Sequence, residues 1–170
     1  MRKSIFFALA LVISDITLAK VIYVGSHGFS IENRVDIAQP IGKVWQALIQ
    51  DVDAWWPKDH SWFGDSGQFY IEPKAGGCFC EVAGKKSAEH MRISFVDPER
   101  LLRMTGGLGP LQGMSGAMDW KLSESDGKTT VLLTYKVSGY YPDGFEQLAP
   151  IVAKVQGIQL NGLKSLMDKH

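Results

Sequence analysis

Apolar and polar residues alternate along most of this chain, and the period changes near its end. Ile31, Asn33, Val35 and Ile37 share one side of a stretch whose other side carries Glu32, Arg34 and Asp36, the pattern of a half-buried strand. Gln39-Pro40 closes it, and Pro40 suits the first turn of a helix, where its missing N–H is not needed. Val44, Trp45, Leu48 and Ile49 then recur at helical spacing, which predicts a short amphipathic helix over residues 41–50. Alternation resumes at Phe69 and Ile71 and is turned by Pro73-Lys74-Ala75-Gly76-Gly77. Cys78 to Val82 is the next strand, turned by Gly84-Lys85-Lys86. Met91, Ile93 and Phe95 are then expected to face inward, with His90 and Arg92 on the outer side. Asp97-Pro98-Glu99-Arg100 is a turn, and Leu101 to Thr105 pairs back. GGLGPLQG, residues 106–113, breaks regular structure and reads as a mobile loop. Met118, Trp120 and Leu122 alternate again, Ser125-Asp126-Gly127 makes a hairpin turn, and Val131, Leu133, Tyr135 and Val137 mark the last strand.

Beyond Gly139-Tyr140-Tyr141-Pro142 the period becomes 3.6. Phe145, Leu148, Val152, Val155, Gln159, Leu163 and Leu166 step by three or four along one stripe. Pro150 cannot sit inside an unbroken helix, because its ring clashes with the carbonyl four residues back. A helical turn around 143–149 followed by a long helix from Pro150 to about Met167 satisfies both constraints. Gly157 and Gly162 weaken that helix, which points to close packing of the helix on the sheet or to bare backbone that leaves room for something over it. Strands joined by tight turns make a meander with one apolar face, and one long amphipathic helix is available to cover it. The fold class is therefore α+β: a curved antiparallel sheet of six to seven strands wrapped around a long C-terminal helix, with a short helical pair after the first strand. A bent sheet gripping one helix leaves space between them, the default binding site.

The first residues read differently. Met1-Arg2-Lys3 is a basic start, and Ile5 to Ile13 is unbroken apolar sequence, far short of the ~20 residues a membrane-spanning helix needs. Thr17-Leu18-Ala19 offers small residues where a signal peptidase reads. The expected organisation is a signal peptide over 1–19, a lead-in segment over 20–28 and one domain over 29–170, in a protein that is periplasmic or secreted. Lys and Arg number 18 and Asp and Glu number 18, so no net charge favours nucleic acid or an anionic membrane surface. No stable membrane insertion is expected once the leader is cut. No period of 20–50 residues repeats. Cys78 and Cys80 lie two apart on a strand, and side chains at i and i+2 project in parallel, whereas a disulfide needs Cβ atoms ~3.8 Å apart. They read as two buried thiols. No second Cys pair completes a zinc set, so no metal site is expected.

Taken in order, these segments resemble the SRPBCC superfamily of START-like helix-grip domains, which includes pollen allergens, polyketide cyclases and heat-shock ATPase activators. The resemblance runs from about Ser30 to Lys169. It rests on VDIAQPIGKVWQALI at the start, AWWPKDHSWFGD, EPKAGGCFCE, EHMRISFVDPERLLRM and GGLGPLQGMSGAMDW in the middle, and VSGYYPDGFEQLAP with LNGLKSLM at the end. It implies a helix-grip fold. It leaves function open, because that frame hosts lipid carriers, hormone receptors, cyclases and cochaperones.

No GxGxxG, Walker or HExxH pattern is present, no nucleophile elbow surrounds Ser61 or Ser66, and no cofactor is expected. Two residues are candidates for acid–base work. His60 lies in the irregular aromatic segment 54–65, where an imidazole can accept or donate a proton near neutral pH. Glu81 shares a strand face with Phe79. Buried there it would have a raised pKa and act as an acid or hold a ligand hydroxyl; exposed, it would leave Cys78 and Cys80 facing the core. Trp56, His60 and Leu108 are expected at the mouth of a cavity, beside Trp62, with Phe79 and Glu81 within and Met91, Met104, Trp120 and Tyr135 on its floor. Three functions follow: a carrier of an apolar or aromatic small molecule, a cyclase- or dehydratase-type enzyme using His60 or Glu81, or a cochaperone-like interaction module.

Overall fold

The computed structural model describes residues 19–169, so the leader assigned to residues 1–19 lies outside the described residues but for Ala19. The alternating stretches form eight strands in one antiparallel sheet: β1 Lys20–Gly25, β2 Gly28–Ile37, β3 Gln68–Ile71, β4 Cys78–Ala83, β5 Lys86–Asp97, β6 Leu101–Thr105, β7 Ser115–Ser125 and β8 Lys128–Ser138. The spatial order is β1-β2-β8-β7-β6-β5-β4-β3, a meander whose last strand returns to β2. The count exceeds six to seven because Lys20–Gly25, expected as a lead-in, pairs along β2 as an edge strand. The helical pair follows β2 as expected, α1 Ile41–Gln50 and α2 Val52–Trp55. α1 buries Val44, Leu48 and Ile49 of the face its spacing marked, with Ala47 beside them, and leaves Trp45 partly buried.

The long helix α3 runs Leu148–Met167. It starts two residues before Pro150, so the proline falls in the first turn, where no helix carbonyl lies four residues behind it. Residues 143–147 are turns rather than helix. α3 packs chiefly on β2, with β1 and α2 beside it. Gly162 meets α2 closely: a Cβ there would lie 2.2 Å from the Trp55 carbonyl oxygen. Among the described residues no helix is long and apolar enough to cross a membrane.

The pairing of described strands steps irregularly at three places, once in β1 between Val21 and Tyr23 and at two bulges in β5. Between β4 and β5 the pairing steps from Phe79 opposite Met91 to Cys80 opposite Glu89, which leaves His90 as an extra residue. His90 and Met91 are consequently both buried, and His90 is not the outward residue that parity predicted. Between β5 and β6 the step from Ile93 opposite Met104 to Phe95 opposite Arg103 leaves Ser94 extra, and Phe95 turns outward to 48% exposure. Opposite the first bulge the Cα atoms of Cys78 and Cys80 are 5.5 Å apart and the two cysteines form a disulfide. The expected free thiols are corrected: the irregular pairing draws i and i+2 closer than a regular strand would.

Candidate functional site

The aromatic segment between α2 and β3 is held by charge and backbone. The Asp53 carboxylate accepts the Phe69 N–H at 2.8 Å and pairs with Lys58 at 2.7 Å. Lys58 also donates to the Gly67 carbonyl at 2.7 Å and lies 5.4 Å from the centre of the Phe69 ring. Residues 53–69 thereby fold back over the sheet. Trp55 goes into the core and donates its indole N–H to the Ala47 carbonyl at 3.1 Å. Trp56 is buried edge-on to Phe79, ring centres 4.7 Å apart. Trp62 stays half in water, 51% exposed.

Glu81 lies on the inner face of β4 and is fully buried. A bare carboxylate there would be prohibitive, so the segment brings donors to it. The Ser61 hydroxyl donates to Oε1, the Trp62 and Phe63 backbone N–H groups donate at 3.0 and 3.2 Å, and His90 Nε2 lies 2.9 Å from Oε2. Gly67 makes room: a Cβ there would lie 2.0 Å from Oε1. Burial by itself raises the Glu81 pKa, but the hydrogen bonds from Ser61, Trp62, His90 and Phe63 outweigh it and hold the carboxyl below the usual range. The raised pKa expected of a buried Glu81 is therefore corrected, and as an ionised, fully occupied acceptor it is not itself an acid. His90 is also pushed below its ordinary value, which for an imidazole favours the neutral form: burial lowers its pKa, and the Glu81 hydrogen bond and charge only partly restore it. Its ring stacks on Phe79 at 5.0 Å and tilts against Phe69 at 5.4 Å. A neutral His90 facing an ionised Glu81 carries its proton on Nε2. Nδ1 makes no hydrogen bond among the described residues.

A cavity of about 380 Å³ opens beside this pair, where the first half of α3 crosses over residues 59–62 and 108–111. Its walls are chiefly apolar, from Leu108, Pro110, Leu111, Leu148, Ile151 and Val155. The Tyr135 hydroxyl sets the 106–113 segment in place, accepting the Leu108 N–H at 2.9 Å and donating to the Gly106 carbonyl at 3.0 Å. Burial pushes Tyr135 up to about 12, so this donor persists across the ordinary pH range. The loop is thus anchored at its start, not free as its glycines suggested. Polar residues also line the cavity. Gln159 Nε2 donates to His60 Nδ1 at 3.2 Å. Trp56 Nε1, Gln156 Oε1 and Gln159 Oε1 are buried without a partner among the described residues; other such atoms lie in Asn33 and Trp120, away from this cavity.

Of the residues singled out from sequence, Trp56, His60, Trp62 and Leu108 line the cavity. Met91, Met104, Trp120 and Tyr135 do not form its floor; they are packed into the core. Phe79 and Glu81 stand behind His90 instead of on the wall. Sequence reasoning missed His90, because a bulge reverses its face, and Gln156, which lies one turn before Gln159 on α3. Gln159 was the available signal: an amide in phase with an apolar stripe. Among the described residues no group of three or more His, Cys, Asp and Glu side chains is placed to hold a metal ion.

No protein-family model matches the chain, and no curated protein matches it in sequence. Solved structures match its shape. CalU16 from Micromonospora echinospora is 17% identical with a TM-score of 0.59, over 82% of this chain and 76% of that one. Protein MLL2253 from Mesorhizobium loti is 19% identical with a TM-score of 0.59, over 82% of this chain and 97% of that one. Ara h 8.0201 is 20% identical with a TM-score of 0.55, over 83% and 98%. With the eight-stranded sheet and the C-terminal helix gripped against it, these likenesses establish that the chain has the START-like helix-grip fold.

Proposed function

We propose that this protein binds a small, flat, largely apolar molecule that carries one or two polar groups, and that it does so outside the cytoplasm. The observation that carries the reading is a chiefly apolar cavity whose lining residues include polar side chains with unpartnered atoms behind the wall. A cavity of about 380 Å³ is within the size range of small-molecule sites. Apolar walls alone would accept any grease. Trp56, Gln156 and Gln159 line the cavity too, and the Trp56 indole N–H and the two amide oxygens lie just beneath that wall without a partner, a burial that is unfavourable until the side chains turn to meet a ligand. An aromatic ligand with a carbonyl or hydroxyl meets both demands.

Native mass spectrometry of protein purified from its own host tests this. The wild-type protein is expected to carry a small molecule that is absent from a folded Val152→Trp variant, whose indole fills the cavity from α3. Repeated recovery of an empty wild-type protein would end the carrier reading. Export is supported by the basic start and apolar run of residues 1–19 and by a disulfide of the kind an oxidising compartment preserves. Fractionated cells should yield a mature chain beginning near Lys20 outside the cytoplasm; a cytoplasmic chain retaining its first residues would refute it.

A further inference from the structure

We propose that His90 and Glu81 form a proton-transfer pair at the inner end of the cavity, acting on an aromatic or apolar carbonyl compound with an acidic C–H beside the carbonyl. The inference rests on the binding reading above and adds chemistry to it. Three geometric facts lead there. His90 is one of the cavity-lining residues, although nearly all of it is buried. Its Nε2 is committed to Glu81 at 2.9 Å, so the nitrogen left for the cavity is the bare Nδ1. Glu81 is in turn fixed by Ser61, Trp62 and Phe63, which hold both the imidazole's orientation and its tautomer.

A structural histidine needs only one good partner. Here three further donors are spent on the carboxylate that orients the histidine, and the strand is bulged at His90 itself. Trp56 completes the arrangement. Its ring shares Phe79 and Phe69 as neighbours with His90, and its indole N–H is unpartnered. Turned toward the cavity, that N–H would donate to the carbonyl of a substrate lying beside His90.

The step balances without any other reagent. Nδ1 takes the α-proton; the C–H electron pair forms the new carbon–carbon double bond; the carbonyl π pair moves to oxygen, where the Trp56 N–H meets the developing charge. The imidazolium so formed faces the ionised Glu81. Return of the proton to a different carbon isomerises the substrate, and return to the same carbon exchanges it. His90 is the catalytic residue and Glu81 a positioning residue. The other titratable groups lining the cavity are Asp59 and His60.

The test uses 2-tetralone, a small aromatic ketone with acidic α-hydrogens, in D₂O. Binding is followed by displacement of 8-anilinonaphthalene-1-sulfonate and exchange at C1 by proton NMR. The wild-type complex should exchange on the order of 10²-fold faster than buffer, the scale of a positioned general base. His90→Gln should still bind and lose the acceleration. Glu81→Gln should keep binding and shift the pH profile of the residual rate. Bound tetralone exchanging at the buffer rate would overturn the pair and leave the carrier reading intact. Failure of both the dye and the ketone to bind would fail the carrier reading and the pair with it. ¹⁵N NMR of the unliganded protein supplies a readout independent of any variant's folding. His90 should be neutral with its proton on Nε2 at neutral pH; a proton on Nδ1 overturns the proposal.

Discussion

Gly67 lacks a side chain where Glu81 needs the space. Its φ of −72° and ψ of 135° suit alanine well, so a Gly67→Ala change would gain ~0.4–1 kcal/mol from a stiffer unfolded chain if nothing else intervened. The added Cβ would, however, lie 2.0 Å from Glu81 Oε1 and 2.7 Å from the Ser61 hydroxyl oxygen. Glu81 has no slack, since four donors fix it. We expect the clash to win, with a net loss of ~1–3 kcal/mol by chemical denaturation; a neutral or stabilised variant would show the carboxylate to be loosely held. The same pair sets a pH response. The folded pKa values of Glu81 and His90 both lie below their ordinary ones. The unfolded chain therefore binds protons that the folded one refuses, and acid favours unfolding. The His90 share of stability is fully present above ~6.5, the ordinary histidine value, and declines as pH falls toward its folded value; the Glu81 share declines only below ~4.3. Melting temperature should thus fall between pH 7 and pH 5.5 in the wild type and stay flatter over that window in His90→Gln. Parallel curves would mean that His90 titrates normally.

At the scale of elements, α3 shows propensity and packing opposed. Gly162→Ala should strengthen an isolated helix by ~1 kcal/mol. In the protein a Cβ there would lie 2.2 Å from the Trp55 carbonyl oxygen, a backbone atom that cannot swing aside. The variant should be destabilised by ~2 kcal/mol or more, and gain of stability would mean that α3 and α2 do not touch here. Removing the disulfide should matter less. The bridge closes only a three-residue loop, and loop-closure entropy for so short a segment supports less than ~2 kcal/mol, so Cys78→Ala with Cys80→Ala should fold and melt only slightly earlier. These elements also show what the sequence could say. Strands with unbroken alternation, such as Ile31 to Ile37, were legible because period two and burial on one face impose each other. The two bulges in β5 were not, because one extra residue in a strand is fixed by how its neighbour pairs, which no local window contains. That is why His90 was assigned to the wrong face and the cysteines to free thiols. Gly162 was legible as a packing glycine, but its partner was expected to be the sheet and is α2.

At the scale of the molecule, the cavity is assembled from segments far apart in the chain: residues 56–62, His90, residues 108–111 and the first half of α3. Periodicity ranks residues by burial and cannot distinguish a wall from a core, so Met91, Met104, Trp120 and Tyr135 were placed on a floor that is solid protein. The polar members carry the sharper information. Gln156 is 2% exposed, and its side-chain oxygen has no partner among the described residues. An unpaired buried amide is a standing penalty of ~1–3 kcal/mol, and leucine fills nearly the same volume without it. If stability alone shaped this position, leucine would serve it better. Gln156→Leu should therefore raise the melting temperature of the empty protein by about 2–4 °C, the shift that ~1 kcal/mol produces in a domain of this size. The same change should weaken capture of whatever ligand the host supplies, because the acceptor that pairs with its polar group is gone. Calorimetry of the unliganded variant and native mass spectrometry of the host-purified variant measure the two effects separately. A variant that is both more stable and still loaded would show that Gln156 recognises nothing. A less stable one would show that its amide is already satisfied within the fold, and the polar wall of the cavity would then have no bearing on ligand choice.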